Sequence, residues 1–315
     1  MTHQRDFPRR SFLGIGLGGV FSALLGTEVG ALESLHTKSG RAKRVLVIFE
    51  QGGLSQMDTW DPKPDAPAEH RSPFKPIQTN VPGMQFTELL SRTAKVANHL
   101  TVVRCMIQPT PGIGNSHPKG SQYIYSGEAP GGPIEMPDMS SVVAHQMGTE
   151  ALYLPSNILL PGTSEQAYNS TVGFLPPGYT VFKTGGSPAN PNWRVPNLGL
   201  LANIDERRFK DRRDLLSKLD VGYVNKAGAR DVQAMRSLMG QAEDMLTNPL
   251  TRKAFDMHTE TPQMRERYGM GHRGQCYLLA RKLIESGVRF VTVDVREPES
   301  SFRDGKPVSY SGGNN

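Results

Sequence analysis

The segment 276–295 constrains the fold more than any other part of the sequence. Five of its apolar residues recur at helical spacing and predict one buried helix face: Cys276, Leu279, Ala280, Leu283 and Ile284. Gly287 follows where a left-handed residue ends a helix, and the apolar run 288–295 then predicts a strand. Helix, glycine and buried strand make half of a βαβ crossover, which joins parallel strands. The sequence therefore predicts an α/β fold with a mostly parallel sheet flanked by helices.

Earlier apolar runs extend this alternation toward the N-terminus. Residues 44–49 are continuously β-branched, aliphatic or aromatic after Arg44 and predict a central strand buried on both faces. Two further strands are expected over residues 100–106 and 157–160. Helical spacing of apolar residues, or a proline suited to a first turn, predicts helices over residues 87–98, 118–126 and 140–147.

Two later stretches interrupt the alternation. Residues 168–201 are rich in glycine, proline and asparagine but contain scattered aromatic residues, which predicts a long ordered loop rather than a flexible linker. Residues 205–243 predict a helical stretch with interspersed charges of both signs. The net charge is only +6, from 36 Lys and Arg against 30 Asp and Glu. We therefore expect a solvated, salt-bridged surface and no nucleic-acid partner.

The first 31 residues have the organisation of an export signal. Arg9 and Arg10 precede a weakly apolar, glycine-rich run, which ends near the small residues Gly30 and Ala31. The paired arginines resemble a twin-arginine signal, so we expect the twin-arginine export machinery as a partner and a periplasmic or extracellular location. The apolar run of about 14 residues is too short to span a bilayer, and no transmembrane span is expected in the mature chain. The alternatives to a cleaved signal are an amphipathic surface helix or an uncleaved membrane anchor. A polar linker over residues 32–43 then leads to the α/β domain.

Cys105 and Cys276 are the two cysteines of the chain. Two cysteines exclude a disulfide-rich scaffold and a multi-cysteine metal site. An oxidising compartment would allow them to pair. Because one is predicted on a strand and the other on a helix, two separate buried thiols are the preferred interpretation.

The loop after the first predicted strand is the first candidate site. Ligands of parallel sheets bind beyond the carboxyl ends of the strands. Glu50, Asp58 and Asp61 place three carboxylates in a short span there, with Gly52 and Gly53 allowing a tight turn. Carboxylates suit hard or borderline divalent cations. The same spacing also suits helix caps or turn residues, so both interpretations stay open.

A second candidate loop follows the second predicted strand. Pro118 is suited to the first turn of a helix, which places Ser116 or His117 at the helix N-terminus, where anions are favoured. A metal that lowered the pKa of the Ser116 hydroxyl would make it a nucleophile, and His117 is able to bind such a metal. From the chemistry alone, Ser116 as a simple helix cap is the preferred interpretation.

Several segments, in order, resemble motifs of the bacterial "domain of unknown function 1501" proteins. They are the Gly52-Gly53-x-Ser55-Gln56-x-Asp58-Thr59-Trp60-Asp61-Pro62-Lys63-Pro64 segment, the Asn115-x-His117 loop, Pro137-Asp138-Met139-Ser140-Ser141, Arg265-Glu266-Arg267-Tyr268-Gly269, and residues 279–291. The resemblance covers roughly residues 8–295, and many members carry twin-arginine leaders and are related to sulfatases and alkaline phosphatases.

The resemblance implies an alkaline-phosphatase/sulfatase-like architecture. By analogy it implies hydrolysis of sulfate or phosphate esters at a divalent metal centre (Zn, Ca, Mg or Mn), with a small ester or a glycan as the substrate. The roles implied are metal ligation by Asp58 and His117, with Asp61 a further candidate ligand, and Ser116 as nucleophile.

The sequence departs from the family pattern after residue 295. In the family, the matching strand leads to a Gly-Trp-Asp-x-His motif and later to Glu-Phe-Gly-Arg-Thr-Pro and Arg-Asp-His-Trp segments, which resemble suppliers of most metal ligands. None of these motifs occurs here. We therefore expect a fold incomplete at the C-terminus, a disordered tail over residues 296–315 and little hydrolase activity. A frameshift or early stop is one explanation, and an exposed sheet edge predicts marginal stability or aggregation.

A second interpretation of the sequence requires no catalysis. The chain would be a non-enzymatic envelope or periplasmic protein, and the aromatic residues of the loop 168–201 would bind a glycan or a protein partner. Bound metal would favour the hydrolase lineage, and a specific partner bound by metal-free protein would favour the non-enzymatic interpretation.

Overall fold

The computed structural model describes residues 42–50, 54–104, 106–107, 111–114, 116–162, 171–200, 204–224, 229–295, 301–303 and 306–308. The described residues from Arg44 onward lie in one compact unit. The predicted export signal, with Arg9 and Arg10, and nearly all of the predicted linker lie outside the described residues. Within the described part, no helix is both long and apolar enough to cross a membrane.

The architecture is α/β, as predicted, with strands and helices that we number in chain order. The strands are β1 (Val45–Ile48), β2 (Pro76–Gln78), β3 (Gln85–Thr87), β4 (Asn157–Leu160), β5 (Phe182–Lys183), β6 (Phe290–Val293), β7 (Ser301–Arg303) and β8 (Lys306–Val308). The helices are α1 (Ser91–Ala94), α2 (His117–Ser126), α3 (Met139–Met147), α4 (Glu206–Val224), α5 (Ala229–Thr247), α6 (Pro249–Phe255), α7 (Pro262–Tyr268) and α8 (His272–Glu285).

The main sheet has the strand order β1-β6-β4-β5, and all of its pairings are parallel. The last predicted strand, β6, lies between β1 and β4, and every residue of β6 and β4 is buried. The predicted helix before it is α8, which contacts α6, α7, β1 and β6. Gly287 follows the C-cap Ser286 and has φ +105°, so the predicted left-handed helix end is confirmed.

The position of β1 differs from the prediction of a central strand buried on both faces. It is an edge strand that pairs with β6 alone among the described strands, and Leu46 and Ile48 are 41% and 51% exposed. The burial prediction was wrong because a continuous apolar run has the same appearance in a central strand and in an apolar edge strand. The position in the sheet depends on pairing with residues about 245 positions further along the chain.

The predicted strand over residues 100–106 is irregular in its described part, residues 100–104 and 106. Val103 and Met106 are strongly exposed there, and none of the described strands pairs with this run. The neighbouring predicted helix, residues 87–98, is divided into 3₁₀ turns at Glu88–Leu90 and Ala97–His99 with α1 between them. These turns pack around Phe86 of β3, which pairs with β2 in a separate antiparallel sheet.

Two other regions are confirmed in outline and differ in detail. The predicted loop 168–201 is irregular over most of its described part, but it supplies β5 and the buried side chains of Trp193 and Val195. From Glu206 onward, the charged stretch 205–243 is helical, as predicted, in its described residues, which belong to α4 and α5. The segment 296–315 was predicted to be disordered, but its described residues form a short antiparallel pair, β7 and β8, because two runs that are close along the chain are able to pair without the main sheet.

Candidate functional site

Two acidic residues follow neighbouring strands at the carboxyl edge of the main sheet. Ile48 of β1 is opposite Val293 of β6, so Glu50 and Asp294 both lie just beyond the ends of paired parallel strands. Asp294 is completely buried, and its backbone N–H donates to the carbonyl of Leu160 at 2.9 Å. This edge is the place where parallel sheets bind their ligands.

Glu50 is held by two side chains of α8. Arg273 forms an ion pair with its carboxylate, and the hydroxyl of Tyr277 donates to the same group. Arg273 also donates to the carbonyl of Val295 at 3.2 Å. It therefore connects the segment that follows β1 to the segment that follows β6. Burial, followed by the hydrogen bond with Glu50, raises the pKa of Tyr277 to about 12, so this phenol stays protonated at neutral pH.

Tyr125 of α2 is the most unusual polar group near this edge. It is 5% exposed, and its hydroxyl has no hydrogen-bond partner among the residues that the structure describes. Its pKa is raised well above the usual range, first by burial and then by the negative charges of Asp294 and Asp138. The Phe49 ring lies 5.0 Å away in a tilted arrangement. Among the described residues, the protonated hydroxyl therefore has no acceptor, and a buried donor in that state costs about 1–3 kcal/mol.

Asp138 is a buried helix cap. Its Oδ1 accepts hydrogen bonds from the backbone N–H of Ser141 at 2.8 Å and from the Ser140 hydroxyl at 2.7 Å, and so caps α3. Burial raises the pKa of Asp138 above its ordinary value although these hydrogen bonds act in the opposite direction. The capping role explains why a carboxylate occurs here, while its charge acts on Tyr125 through the low-dielectric interior.

Asp61, predicted as a metal ligand, has other charged partners. Its two carboxylate oxygens pair with Lys63 at 2.6 Å and with Arg104 at 3.4 Å. The Asp61 side chain is almost fully buried beside a cavity of about 270 Å³ that Lys63 and Arg104 also line. A cation at Asp61 would have to replace both side chains, so this carboxylate fits a metal poorly as it stands.

Asp58, the second predicted ligand, is hydrogen-bonded to two other segments of the chain, at Ser72 and at Thr87. Its Oδ1 accepts a hydrogen bond from the Ser72 hydroxyl at 2.6 Å, and its backbone carbonyl accepts one from the Thr87 hydroxyl at 2.6 Å. His117 is the first residue of α2, and its side chain lies outside the described residues. Across the described chain, no group of three or more His, Cys, Asp or Glu side chains is arranged to bind a metal.

Ser116, the predicted nucleophile, occupies the N-cap position of α2. Its backbone has extended angles, φ −126° and ψ 113°, and its carbonyl accepts the N–H of Gly120 at 2.8 Å. The side chain makes no capping hydrogen bond, although capping was the preferred interpretation of the sequence. The half-buried hydroxyl therefore lies at the positive end of a ten-residue helix without being used to close it.

The structure describes one of the two cysteines, whose thiols were predicted to be separate and buried. Cys276 is fully buried in α8, with its Sγ 3.9 Å from Nε2 of His272. Cys105 lies outside the described residues, so the preference for two separate thiols stays a prediction.

Sequence reasoning named Glu50 and missed Arg273 and Tyr277, which contact it, and two further groups near this edge of the sheet, Asp294 and Tyr125. Asp294 had a usable signal, because it is the sole carboxylate in the apolar run 288–295 and follows a buried strand. Tyr125, Arg273 and Tyr277 had none, because tyrosine and arginine on helices are usually surface or packing residues.

Comparison with known proteins identifies the family. No curated protein and no solved structure matches the chain. A family model described as "Protein of unknown function (DUF1501)" matches residues 42–297, which include all the residues of the main sheet, α2 and α8. Since this match extends over far more than half of the 315 residues, the chain belongs to the DUF1501 family.

Proposed function

We propose that this protein belongs to an exported lineage of sulfatase/alkaline-phosphatase-like ester hydrolases. The observation that carries the proposal is Ser116 at the N-terminus of α2 in a parallel α/β fold. Its hydroxyl makes no capping hydrogen bond to the helix. The free backbone N–H groups and the dipole of such a helix end favour an anionic sulfate or phosphate group. In the proposed reaction, Ser116 Oγ bonds to sulfur or phosphorus while the alcohol leaves with the hydroxyl proton, and water then releases the inorganic anion.

The proposal assigns Asp58 and His117 as the residues that would hold a divalent metal ion, Zn, Ca, Mg or Mn. Such an ion polarises the ester oxygens and lowers the pKa of a bound hydroxyl. Asp61 is a weaker candidate because Lys63 and Arg104 neutralise it. With two favoured ligands, we expect weak metal retention and little turnover by this chain.

Metal content and turnover test this proposal together. The chain is purified without chelators, its metal is measured by mass spectrometry, and turnover of 4-nitrophenyl sulfate and phosphate is followed with each cation. We expect bound metal that is reduced in Asp58→Asn and unchanged in Asp65→Asn, an exposed aspartate of the same segment. Turnover should barely exceed that of the Ser116→Ala variant. Absence of bound metal when every buffer contains the cation would contradict the assignment, and rapid metal-dependent turnover would contradict the expectation of low activity.

Export through the twin-arginine machinery is the second part of the proposal, and Arg9 and Arg10 support it. Replacing both by lysine should retain the chain in the cytoplasm, whereas replacing Arg41 and Lys43 should leave export unchanged. Equal export of the two variants would contradict the proposed signal.

The alternative of a glycan-binding aromatic loop has less support. Trp193 is buried and its Nε1 donates to the carbonyl of Gly185 at 2.8 Å, while Phe182 packs against Phe255. In the described part of the loop, Phe174 is the one strongly exposed aromatic ring, and a single ring does not make a stacking platform. A specific envelope partner recovered with metal-free protein would favour this alternative.

A further inference from the structure

A cavity of about 370 Å³ opens beside Trp193, away from the residues assigned to ester hydrolysis above. Two chain segments form it: residues 193–198, which follow β5, and the end of α6. Its volume lies in the range of small-molecule sites, roughly 300–1,000 Å³.

The inner wall of the cavity is apolar. Trp193, Val195 and Phe255 line it and are all buried members of the main hydrophobic core. The indole N–H of Trp193 is already bonded to Gly185, so the tryptophan offers the cavity only apolar ring surface. An occupant would meet carbon atoms along this wall and gain affinity from burial of its own apolar surface.

The rim of the cavity is cationic. Arg194, Arg252 and Lys253 line it together with one carboxylate, that of Asp256, so two positive charges are in excess. Asp256 is engaged as a turn cap, accepting the backbone N–H of His258 at 2.9 Å. The charge of this cavity therefore favours an anion.

The three cations have no acidic partners in the described part of the chain. Arg194 donates to the carbonyls of Trp193 at 2.7 Å and Pro191 at 3.5 Å, whereas Arg252 and Lys253 form no ion pair with a described residue. Arg252 and Lys253 lie in the last turn of α6, where cations also stabilise the helix. That effect does not explain Arg194, which reaches the same cavity from a different segment.

We propose that this cavity binds a small amphipathic anion, with a flat apolar body of one or two rings against Trp193 and a single sulfonate, sulfate or carboxylate group between the cations. The apolar wall recognises the body, and the charge-assisted hydrogen bonds of the rim recognise the anionic group. The site is separate from Ser116 and does not depend on the proposed hydrolysis.

The test uses 2-naphthalenesulfonate as the anionic probe and 2-naphthalenesulfonamide as its neutral counterpart. Binding to the unaltered full chain is measured by calorimetry. Trp60 and Trp193 are the two tryptophans of the chain, so a Trp60→Phe variant also reports occupancy through Trp193 fluorescence. We expect saturable binding of the sulfonate that is about tenfold tighter than that of the sulfonamide, because one or two charge-assisted hydrogen bonds are lost.

Charge variants locate the site. The Arg252→Gln/Lys253→Gln double variant should weaken sulfonate binding about tenfold, since both side chains are exposed and their removal leaves the apolar core intact. Arg92→Gln, which removes an exposed cation from α1, should leave binding unchanged. Equal affinity for the two probes, an unchanged affinity of the double variant, or lack of saturable binding would each overturn the proposal.

Discussion

Replacing Gln275 by leucine should destabilise the protein although both side chains have similar size. Gln275 of α8 is completely buried, and its Nε2 donates to the carbonyls of Arg265 at 3.1 Å and Gly269 at 2.7 Å. Its Oε1 accepts a hydrogen bond from Nε of Arg265 at 2.8 Å. The amide therefore joins the end of α7 to α8, the helix whose Arg273 and Tyr277 hold Glu50.

The magnitude follows from the groups left without partners in Gln275→Leu. The two carbonyls each lose a donor, and because their surroundings are partly buried we take a cost of about 1.5 kcal/mol for each, in the lower half of the range of about 1–3 kcal/mol for a buried group without a partner. Arg265 is half-buried, so water replaces its lost acceptor at little cost. The extra apolar burial of leucine offsets about 1 kcal/mol, which leaves a net loss of about 2 kcal/mol. For a domain of this size, that lowers Tm by roughly 4–8 °C.

Thermal unfolding followed by circular dichroism measures the effect. Gln263→Leu is the matched control, because Gln263 is an exposed residue of α7 and its replacement should change Tm by no more than about 1–2 °C. Gln275→Ala should lose more stability than Gln275→Leu, since it adds a cavity to the same lost hydrogen bonds. If Gln275→Leu unfolds at the temperature of the Gln263→Leu control, the three side-chain hydrogen bonds do not join α7 to α8.

Three further predictions follow from burial and exposure. Because the pKa of Asp138 is raised in the folded state, its stabilising contribution is complete below the unfolded carboxyl pKa of about 3.9 and is lost as pH rises through the folded pKa. Tm should therefore fall between pH 4 and 7 more steeply in the unaltered chain than in Asp138→Asn, and parallel profiles would contradict this. Tyr277→Phe should lower stability by about 1 kcal/mol through loss of the hydrogen bond to Glu50, as measured by urea unfolding. Ile48→Lys on the exposed edge strand should reduce concentration-dependent association in sedimentation velocity, while Leu152→Lys, an exposed residue outside the strands, should not.

The elements predicted correctly are those with strong local signals. The apolar stripe of α8, Gly287 and the apolar run of β6 together predict a helix that ends before a buried strand. The stripe marks the buried face of the helix, Gly287 allows the positive φ that ends it, and the apolar run suits a strand with both faces buried. The helix predicted over residues 140–147 is confirmed as α3, and its cap Asp138, which was not predicted, is an equally local feature directly before the helix. Residues 100–106 show the limit of such local signals, because β-branched composition predicts a strand only where a partner strand is available.

The candidate site was only partly predictable for a related physical reason. Pro118 predicted Ser116 or His117 at a helix N-terminus, and in the structure Ser116 is the N-cap of α2. The ion pair between Asp61 and Arg104 was not predictable, because two residues 43 positions apart leave no local sequence pattern. The surroundings of Tyr125 likewise combine α2, the end of β6 and the cap of α3.

By itself, the sequence determined the α/β class, the helix–glycine–strand unit at 276–295 and membership of a family with a candidate site after β1. These depend on periodicity, caps and short motifs, which act between residues that are close along the chain. Tertiary structure decided that β1 lies at an exposed edge, that Asp61 is neutralised and that Trp193 borders a cationic cavity. Each of these is set by contacts between distant segments, whose free energy depends on which surfaces meet and not on the local pattern of either one.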